Sequence, residues 1–203
     1  MSFFDVFQLS SVAVFLSVFV IRAAHLFFAQ KINPIAIGRG KKGFSLIFEL
    51  IASGGLIVWI SEIVLQAIHS TFDIFPAVFG VRVIESGIAR SVGVLFVVSA
   101  LVMFAMAFLS FGDSWRVGVD VQTPGALVTR GLFAFTRNPI FVSLDLWFIG
   151  IFLMNQTLGF LIFAIAAVIV MHWQMLREER FLSDLYGEPY RKYCARTARY
   201  LIW

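Results

Sequence analysis

Long apolar stretches alternate with short polar ones along the chain. Three of them are long enough for a transmembrane α-helix, which needs about 20 mostly apolar residues: residues 6–29, 44–68 and 87–110. A fourth stretch, 140–176, is interrupted by the sequence MNQTLG at 154–159, which predicts a helical hairpin. Its first arm, 140–153, is short for a span and is expected to be tilted or partly embedded. The pattern predicts an all-α integral membrane fold with about five transmembrane helices.

The composition agrees with a membrane protein. Of the 203 residues, 60% are hydrophobic and 24 are phenylalanine, whereas soluble domains are about 45–50% apolar. Cys194 is the single cysteine and the three histidines are far apart, so neither a disulfide nor a metal site is expected. A nucleic-acid partner is not expected either. The N-terminus lacks the basic residues of a cleavable signal, so the first stretch is interpreted as a retained helix.

The basic residues predict an orientation. If the C-terminus is cytoplasmic, all 16 Lys and Arg residues except Arg22, Arg82 and Arg90 fall in cytoplasmic segments: 30–43, 111–139 and 177–203. The positive-inside rule then predicts an N-terminus outside and a cytoplasmic C-terminus, in the inner membrane if the protein is bacterial.

The sequence shows no internal repeat or linker, so residues 1–203 are interpreted as one membrane domain. Residues 1–110 hold the three N-terminal spans, and 111–203 hold a polar loop, the hairpin and a cytoplasmic helical tail. Because the loop and the tail are the longest polar segments, chemistry with a soluble charged molecule is expected there.

Ionisable residues inside the predicted spans are costly unless they are paired or functional. We interpret Arg22 with Glu49, and Glu62 with Arg90, as structural ion pairs, because the members of each pair lie at matching depth.

Three further polar residues converge at one level of the hairpin. Asp145 lies about 9 Å into the fourth span at 1.5 Å per residue, and His172 and Gln174 return to a similar depth in the fifth. They either bond each other or line a substrate cavity.

Two sequence elements flank the hairpin. LVTRGLFAFTRNPIF, at 127–141, is similar to the L-V-x-x-G-x-Y/F-x-x-x-R-H/N-P-x-Y/F element of integral-membrane methyltransferases. REERFLSDLYGEPYRKYCARTARYL, at 177–201, is similar to their E-E-x-x-L-x-x-x-F/Y-G-x-x-Y-x-x-Y element, and GDSWRVG, at 112–118, resembles their G-x-x-W segment. The family includes isoprenylcysteine carboxyl methyltransferase and phospholipid N-methyltransferase relatives, and the resemblance covers about residues 108–203.

The resemblance implies S-adenosylmethionine (SAM) bound at the cytoplasmic face and methyl transfer to a lipophilic acceptor from the bilayer. The acceptor stays open among an isoprenylcysteine-like carboxylate, a lipid amine and a thiol. The cofactor-binding residues that the resemblance implies are Leu127, Val128, Gly131, Phe133, Arg137, Asn138, Pro139, Phe141, Glu178, Glu179, Tyr186 and Tyr190.

The charged parts of both elements have a structural and a functional interpretation. Asn138 is a good N-cap and Pro139 suits the first helical position, so the pair would start a helix in any protein. A helix N-terminus with Arg137 beside it also suits the SAM carboxylate. Glu178 and Glu179 either form charge pairs at a solvated helix end or accept from the SAM amino group and ribose.

Methyl transfer is an in-line displacement, so alignment of the reactants matters most. A carboxylate acceptor needs no base, whereas an amine or thiol must lose a proton, for which Asp145, His172 or Glu178 are candidates. With Arg137 at the cofactor, these residues form the predicted catalytic set.

Two departures from the family pattern leave alternatives open. Asn138 and Phe141 stand where many relatives have His and Tyr, which argues against the isoprenylcysteine branch in particular. One alternative is an NADPH-dependent, sterol-type membrane reductase, whose C-terminal element also has acidic residues and a Tyr-Gly pair. The other is a non-catalytic membrane protein with a degraded cofactor site.

Overall fold

The computed structural model describes residues 1–31, 44–72, 74–111 and 126–201. Apart from two isolated bridge pairs, this part of the chain has no β-structure, which confirms the all-α prediction. Its α-helices are α1 Phe3–Gln30, α2 Phe44–Ala67, α3 Gly87–Phe111, α4 Pro139–Asn155, α5 Leu158–Tyr186 and α6 Glu188–Cys194. Short 3-10 helices occupy Ala77–Gly80 and Gly131–Ala134. The GDSWRVG segment lies outside the described residues.

Within the described ranges, α1, α2, α3 and α5 are long and apolar enough to cross a membrane. They coincide with four of the predicted spans. The fifth, α4, is apolar but has only 17 residues, which corresponds to about 25 Å. The last long helix, α5, runs past the predicted end at residue 176 to Tyr186, so it carries Glu178 and Glu179 without a break. Many large apolar side chains of these helices are exposed, as expected for a surface that faces lipid.

The helices α4 and α5 form the predicted hairpin, with Gln156 and Thr157 as its turn. Gln156 adopts a left-handed conformation with φ of 63°. Its side-chain amide accepts from the backbone N–H of Ser86 at 3.2 Å and donates to the Ser86 carbonyl at 2.7 Å. The turn is therefore anchored to the residues that precede α3, which sets the register between α3 and the hairpin.

Two glycines allow α3 and α4 to approach closely. A Cβ atom on Gly93 would lie 2.7 Å from the carbonyl oxygen of Gly150. Small residues serve this purpose in membrane helix pairs, where close backbone approach maximises van der Waals contact. At the other end of the pair, the backbone N–H of Leu132 donates to Ser110 Oγ at 3.4 Å. The start of α4 is thus held beside the end of α3.

Aromatic side chains fill the space between the helices. Trp59 of α2 is fully buried and packs against Phe160 and Phe163 of α5, with ring centroids 4.8 and 4.4 Å away. Phe15 of α1 stacks on Trp147 of α4 at 5.0 Å. These contacts tie α1 and α2 to the hairpin.

The predicted ion pair between Glu62 and Arg90 is wrong. Glu62 is fully buried, and its carboxylate accepts from two backbone N–H groups of the loop after α2 at 3.0 and 3.4 Å and from Gln66 Nε2 at 3.0 Å. Arg90 instead lies over the ring of Phe4, 5.5 Å from its centroid. Two backbone N–H groups and one side-chain amide therefore satisfy the buried carboxyl group in place of a cation. The other predicted pair involves Glu49, whose side chain lies outside the described residues.

Candidate functional site

A cavity of about 450 Å³ lies at the start of α4, between the N-terminal helices and the C-terminal part of the chain. This volume is within the usual range for small-molecule sites. Its apolar wall comes from α1, α2, α3 and α4: Phe15, Leu16, Phe19, Leu56, Phe104, Phe108, Ile140 and Leu144. Its polar wall comes from the start of α4, the end of α5 and α6: Arg137, Asn138, Glu178, Tyr186, Tyr190 and Tyr193.

The first turn of α4 contributes backbone donors to the cavity. Asn138 is the N-cap residue and Pro139 the first helical residue, as predicted, but the Asn138 side chain does not cap the helix. The backbone N–H groups of Ile140 and Phe141, two residues that line the cavity, have no acceptor among the described residues. Together with the positive end of the helix dipole, they make this position suitable for an anion.

Glu179 is buried behind the polar wall, and its carboxylate is fully engaged by the protein. Oε1 accepts from Asn138 Nδ2 at 2.8 Å and from Arg137 Nε at 3.2 Å. Oε2 accepts from Arg199 Nε at 3.0 Å and Nη2 at 2.9 Å, and from Arg137 Nη2 at 3.4 Å. Such charge-assisted bonds offset the cost of removing the carboxylate from water. Glu179 itself is not among the residues that line the cavity.

Arg137 lines the cavity and also holds the end of the chain. Its Nη1 donates to the carbonyls of Cys194 at 3.0 Å and Thr197 at 2.9 Å, and its backbone N–H donates to the carbonyl of Ala198 at 2.9 Å. With the two bonds to Glu179, four of the five guanidinium N–H groups are engaged. Arg137 therefore brings a fixed positive charge to the polar wall.

The residues that follow α6, 195–199, form a C-terminal segment that lies against the start of α4. Thr136 Oγ1 donates to the carbonyl of Arg199 at 3.0 Å, and Asn138 Nδ2 donates to the same oxygen at 3.2 Å. Thr136 and Ala198 also form a parallel bridge pair. The C-terminal segment is thus bonded through both its backbone and the Arg199 side chain.

The tyrosines of α6 complete the polar wall. Tyr193 donates its hydroxyl to the carbonyl of Phe133 at 2.6 Å, which joins α6 to the 3-10 helix before α4. Burial raises the pKa of Tyr190 and of Tyr193 above its ordinary value, and for Tyr190 the nearby Glu179 charge raises the pKa further. Both phenols therefore stay neutral and serve as donors and ring surfaces.

Most of the residues predicted for the site border this cavity. The ones that line it are Leu127, Val128, Phe133, Arg137, Asn138, Pro139, Phe141, Glu178, Tyr186 and Tyr190. Gly131 does not line it. Its φ is 64°, and a Cβ atom there would collide with Ser110. The glycine is therefore required by the backbone conformation at the start of the 3-10 helix and not by a ligand contact.

Asp145 and His172 also lie outside the cavity wall. His172 Nδ1 and the Tyr200 hydroxyl are 2.6 Å apart, and the two rings are nearly parallel. Burial raises the pKa of the Tyr200 hydroxyl above its ordinary value. Gln174 does not join them, because its Nε2 donates to Glu178 at 3.3 Å. The catalytic roles of Asp145 and His172 stay predictions, without a cavity contact to support them.

The sequence interpretation missed three parts of the site. Tyr193 is the last tyrosine of the Y-x-x-Y element and could have been selected from the quoted motif. Arg199 stands in a tail with several basic residues, and no spacing distinguishes it from them. The apolar wall comes from spans that carry no recognisable motif, so only packing identifies it.

Part of the chain that builds the site is similar to known methyltransferases. A family model described as phospholipid methyltransferase matches residues 88–189, which is half of the chain. The match begins in α3, earlier than the region of resemblance in the sequence, and ends at the start of α6. Methanethiol S-methyltransferase 1 of Bradyrhizobium diazoefficiens is 35% identical over 81 residues, which is 40% of this chain and 28% of that relative. The chain therefore aligns with less than a third of the relative's length. Neither similarity favours the reductase or the degraded-site alternative.

Proposed function

Because the chain belongs to the phospholipid methyltransferase family, we propose that it catalyses SAM-dependent methyl transfer to a lipophilic thiol that reaches the site from the bilayer. The observation that carries this proposal is the divided wall of the cavity, which joins charged and hydrogen-bonding groups to an aromatic, uncharged surface. The two walls match the two reactants, one a charged nucleoside derivative and the other an apolar molecule.

The polar wall fits the methionine part of SAM. The unpaired N–H groups of Ile140 and Phe141, with the charge of Arg137, suit its carboxylate. Glu178 lines the same cavity and supplies an acceptor for its ammonium group. Tyr186 and Tyr190 offer ring faces for the adenine or the sulfonium. When bound, SAM supplies an electrophilic methyl carbon.

The charges in the wall favour a neutral acceptor. Arg137 is the single cation among the described residues that line the cavity, and the protein already engages most of its donors. A prenylcysteine carboxylate or a phospholipid phosphate would bring a negative charge without a partner. A thiol is neutral until its proton leaves, and the name of the bacterial relative also indicates this chemistry.

For this reaction the protein has to align the thiol with the methyl group of SAM and to remove the thiol proton. The thiol sulfur forms the new bond to the methyl carbon while the bond from that carbon to the sulfonium sulfur breaks, which leaves a thioether and S-adenosylhomocysteine. The thiol proton passes to the Glu178 carboxylate, the one acidic group among the described cavity residues, and from there to water. The aromatic apolar wall keeps water from competing at the reacting atoms.

The proposal includes the orientation predicted from the basic residues. SAM then reaches the polar wall from the cytoplasm, whereas the acceptor passes between helices from the lipid. Membrane lipids then surround the helices and dissolve the lipophilic acceptor.

The glutamate of the polar wall gives a direct test of the proposed function. Glu178→Gln should weaken binding of S-adenosylhomocysteine at least tenfold. A hydrogen bond to a charged group contributes about 1.5–3 kcal/mol, and glutamine keeps the size and shape of glutamate but lacks its negative charge. Titration calorimetry on detergent-purified protein measures this, with labelled methyl transfer from SAM to an alkanethiol as the second readout.

The matched control is Glu188→Gln, because Glu188 lies on α6 with a side chain 58% exposed and pairs with Arg191 and Lys192. It should bind S-adenosylhomocysteine like the unmodified protein. Absence of binding by the unmodified protein would refute the proposed function, and equal affinities of the two variants would remove Glu178 from the site.

The apolar wall can be tested separately from the cofactor. Leu16 borders the cavity and its side chain is 41% exposed, so a larger ring is tolerated there without overpacking the core. Leu16→Trp should reduce methyl transfer to long-chain alkanethiols about tenfold or more while binding of S-adenosylhomocysteine is unchanged, because the added ring occupies acceptor space. Rates with thiols of increasing chain length measure the effect.

Leu95→Trp is the control for this substitution, since Leu95 is 62% exposed on α3 and does not border the cavity. It should leave both rates and binding unchanged. If Leu16→Trp affects short and long thiols equally and also weakens cofactor binding, the apolar wall is not the acceptor site.

A further inference from the structure

The Arg199 side chain is the closest cation to the buried carboxylate of Glu179. Its Nε and Nη2 lie 3.0 and 2.9 Å from Glu179 Oε2, whereas Arg137 Nη2 lies 3.4 Å from the same oxygen. Arg137 makes its other carboxylate bond at 3.2 Å, to Oε1. Two cations therefore share one carboxylate, and Arg199 holds the shorter bonds.

This arrangement decides the net charge beside the start of α4. With Arg137 and Glu179 alone, the pair would be neutral and its field at the cavity small. Because Arg199 adds a second cation, the group carries one net positive charge, next to the unpaired N–H groups of Ile140 and Phe141. A net positive charge at a helix N-terminus attracts a carboxylate, whereas a neutral pair does so weakly.

We infer that Arg199 is a positioning residue, which neutralises Glu179 and thereby leaves the charge of Arg137 to attract the carboxylate of the cofactor's amino-acid part. The inference rests on the proposed function, because it concerns the same site. Arg199 itself does not line the cavity, so its effect passes through Glu179 and Arg137. It also lies beyond residue 189, where the family match ends.

The backbone of the C-terminal segment places Arg199 for this role. The carbonyl of Arg199 accepts from Thr136 and Asn138, and the carbonyl of Ala198 accepts from the backbone of Arg137. The backbone of Arg199 is thus held by bonds that do not involve the charge of its side chain. A change of the side chain alone removes the charge and keeps these backbone bonds.

The test compares two ligands that differ in the amino-acid part. S-adenosylhomocysteine carries the carboxylate, whereas 5′-methylthioadenosine has the same nucleoside and thioether but neither carboxylate nor ammonium. By calorimetry on the purified full chain, Arg199→Gln should weaken S-adenosylhomocysteine about tenfold and leave 5′-methylthioadenosine unchanged. Arg199→Lys should restore part of the affinity, because it returns the charge to Glu179 but not the paired Nε and Nη2 bonds.

Arg196→Gln is the control, since Arg196 is exposed in the same segment and its loss changes the total charge equally. It should bind both ligands normally. Equal weakening of both ligands by Arg199→Gln would show a purely structural role and overturn the inference, as would unchanged binding of S-adenosylhomocysteine. Neither of these two outcomes affects the proposed function, as long as the unmodified protein binds S-adenosylhomocysteine. If the unmodified protein does not bind it, both the inference and the proposed function are refuted.

Discussion

Replacing Glu179 with alanine is expected to lower the free energy of unfolding by about 3–5 kcal/mol. It should also abolish cofactor binding, although the net positive charge rises, because Arg137 loses two of the bonds that position it. Removal of one partner from a buried ion pair costs this much because the other charges stay buried without compensation. Here the change would leave Arg137, whose side chain is only 10% exposed, together with the amide of Asn138 and the guanidinium of Arg199. The C-terminal segment would lose its side-chain anchor to α5 at the same time.

The measurement is thermal unfolding in detergent, followed by calorimetry with S-adenosylhomocysteine. Glu178→Ala is the comparison variant. Glu178 is the residue before Glu179 and borders the cavity, whereas the bonds to Arg137 and Arg199 are made by Glu179. Glu178→Ala should keep nearly the unfolding temperature of the unmodified protein and lose affinity alone. If both variants unfold at the same temperature as the unmodified protein, the five hydrogen bonds to Glu179 do not contribute the predicted 3–5 kcal/mol, a figure of about the size expected for a buried ion pair.

Replacing Gly150 with alanine should lower the free energy of unfolding by about 1–3 kcal/mol, the usual cost of overpacking. The added Cβ would lie 2.8 Å from Val97 Cγ2 and 2.9 Å from the carbonyl oxygen of Gly93, so α3 and α4 would have to separate. Turnover should fall as well, because the first turn of α4 carries Asn138 and the backbone donors of the cavity. Thermal unfolding and labelled methyl transfer measure the two effects.

A glycine in open space gives the control for this change. A Cβ on Gly54 of α2 would meet nothing within 4 Å, so Gly54→Ala should be neutral or stabilise the helix by up to about 1 kcal/mol. Equal stability of Gly54→Ala and Gly150→Ala would mean that α3 and α4 do not depend on close approach.

Much of the architecture follows from hydrophobicity and a few local signals. The long apolar runs predict α1, α2 and α3 within a few residues, because a helix is the structure in which a single chain satisfies its backbone groups in lipid. They also predict α5, which continues ten residues past its apolar run to Tyr186. The polar interruption at 154–159 predicts the turn at Gln156. Asn138 and Pro139 predict the start of α4, since the preferences at a helix N-terminus are local. The two flanking motifs indicate the family, which the match over 88–189 confirms.

The roles of neighbouring polar residues depended on the tertiary structure. Glu178 and Glu179 look alike in the sequence, but successive residues of a helix point about 100° apart, so one faces the cavity and the other the two arginines. Depth in the membrane suggested the pairing of Glu62 with Arg90, yet depth does not state which side of a helix a residue occupies, and loop N–H groups bind Glu62 instead.

The sequence by itself determined which segments are helical, where the hairpin turns and which two motifs face each other, because these features depend on local periodicity and on chain connectivity. Tertiary structure alone decided that Arg199 binds Glu179, that α1, α2 and α3 supply much of the apolar wall, and that His172 bonds to Tyr200 and does not line the cavity. These contacts join residues far apart in the chain, and their formation depends on helix rotation and register, which packing at positions such as Gly93 and Gly150 fixes.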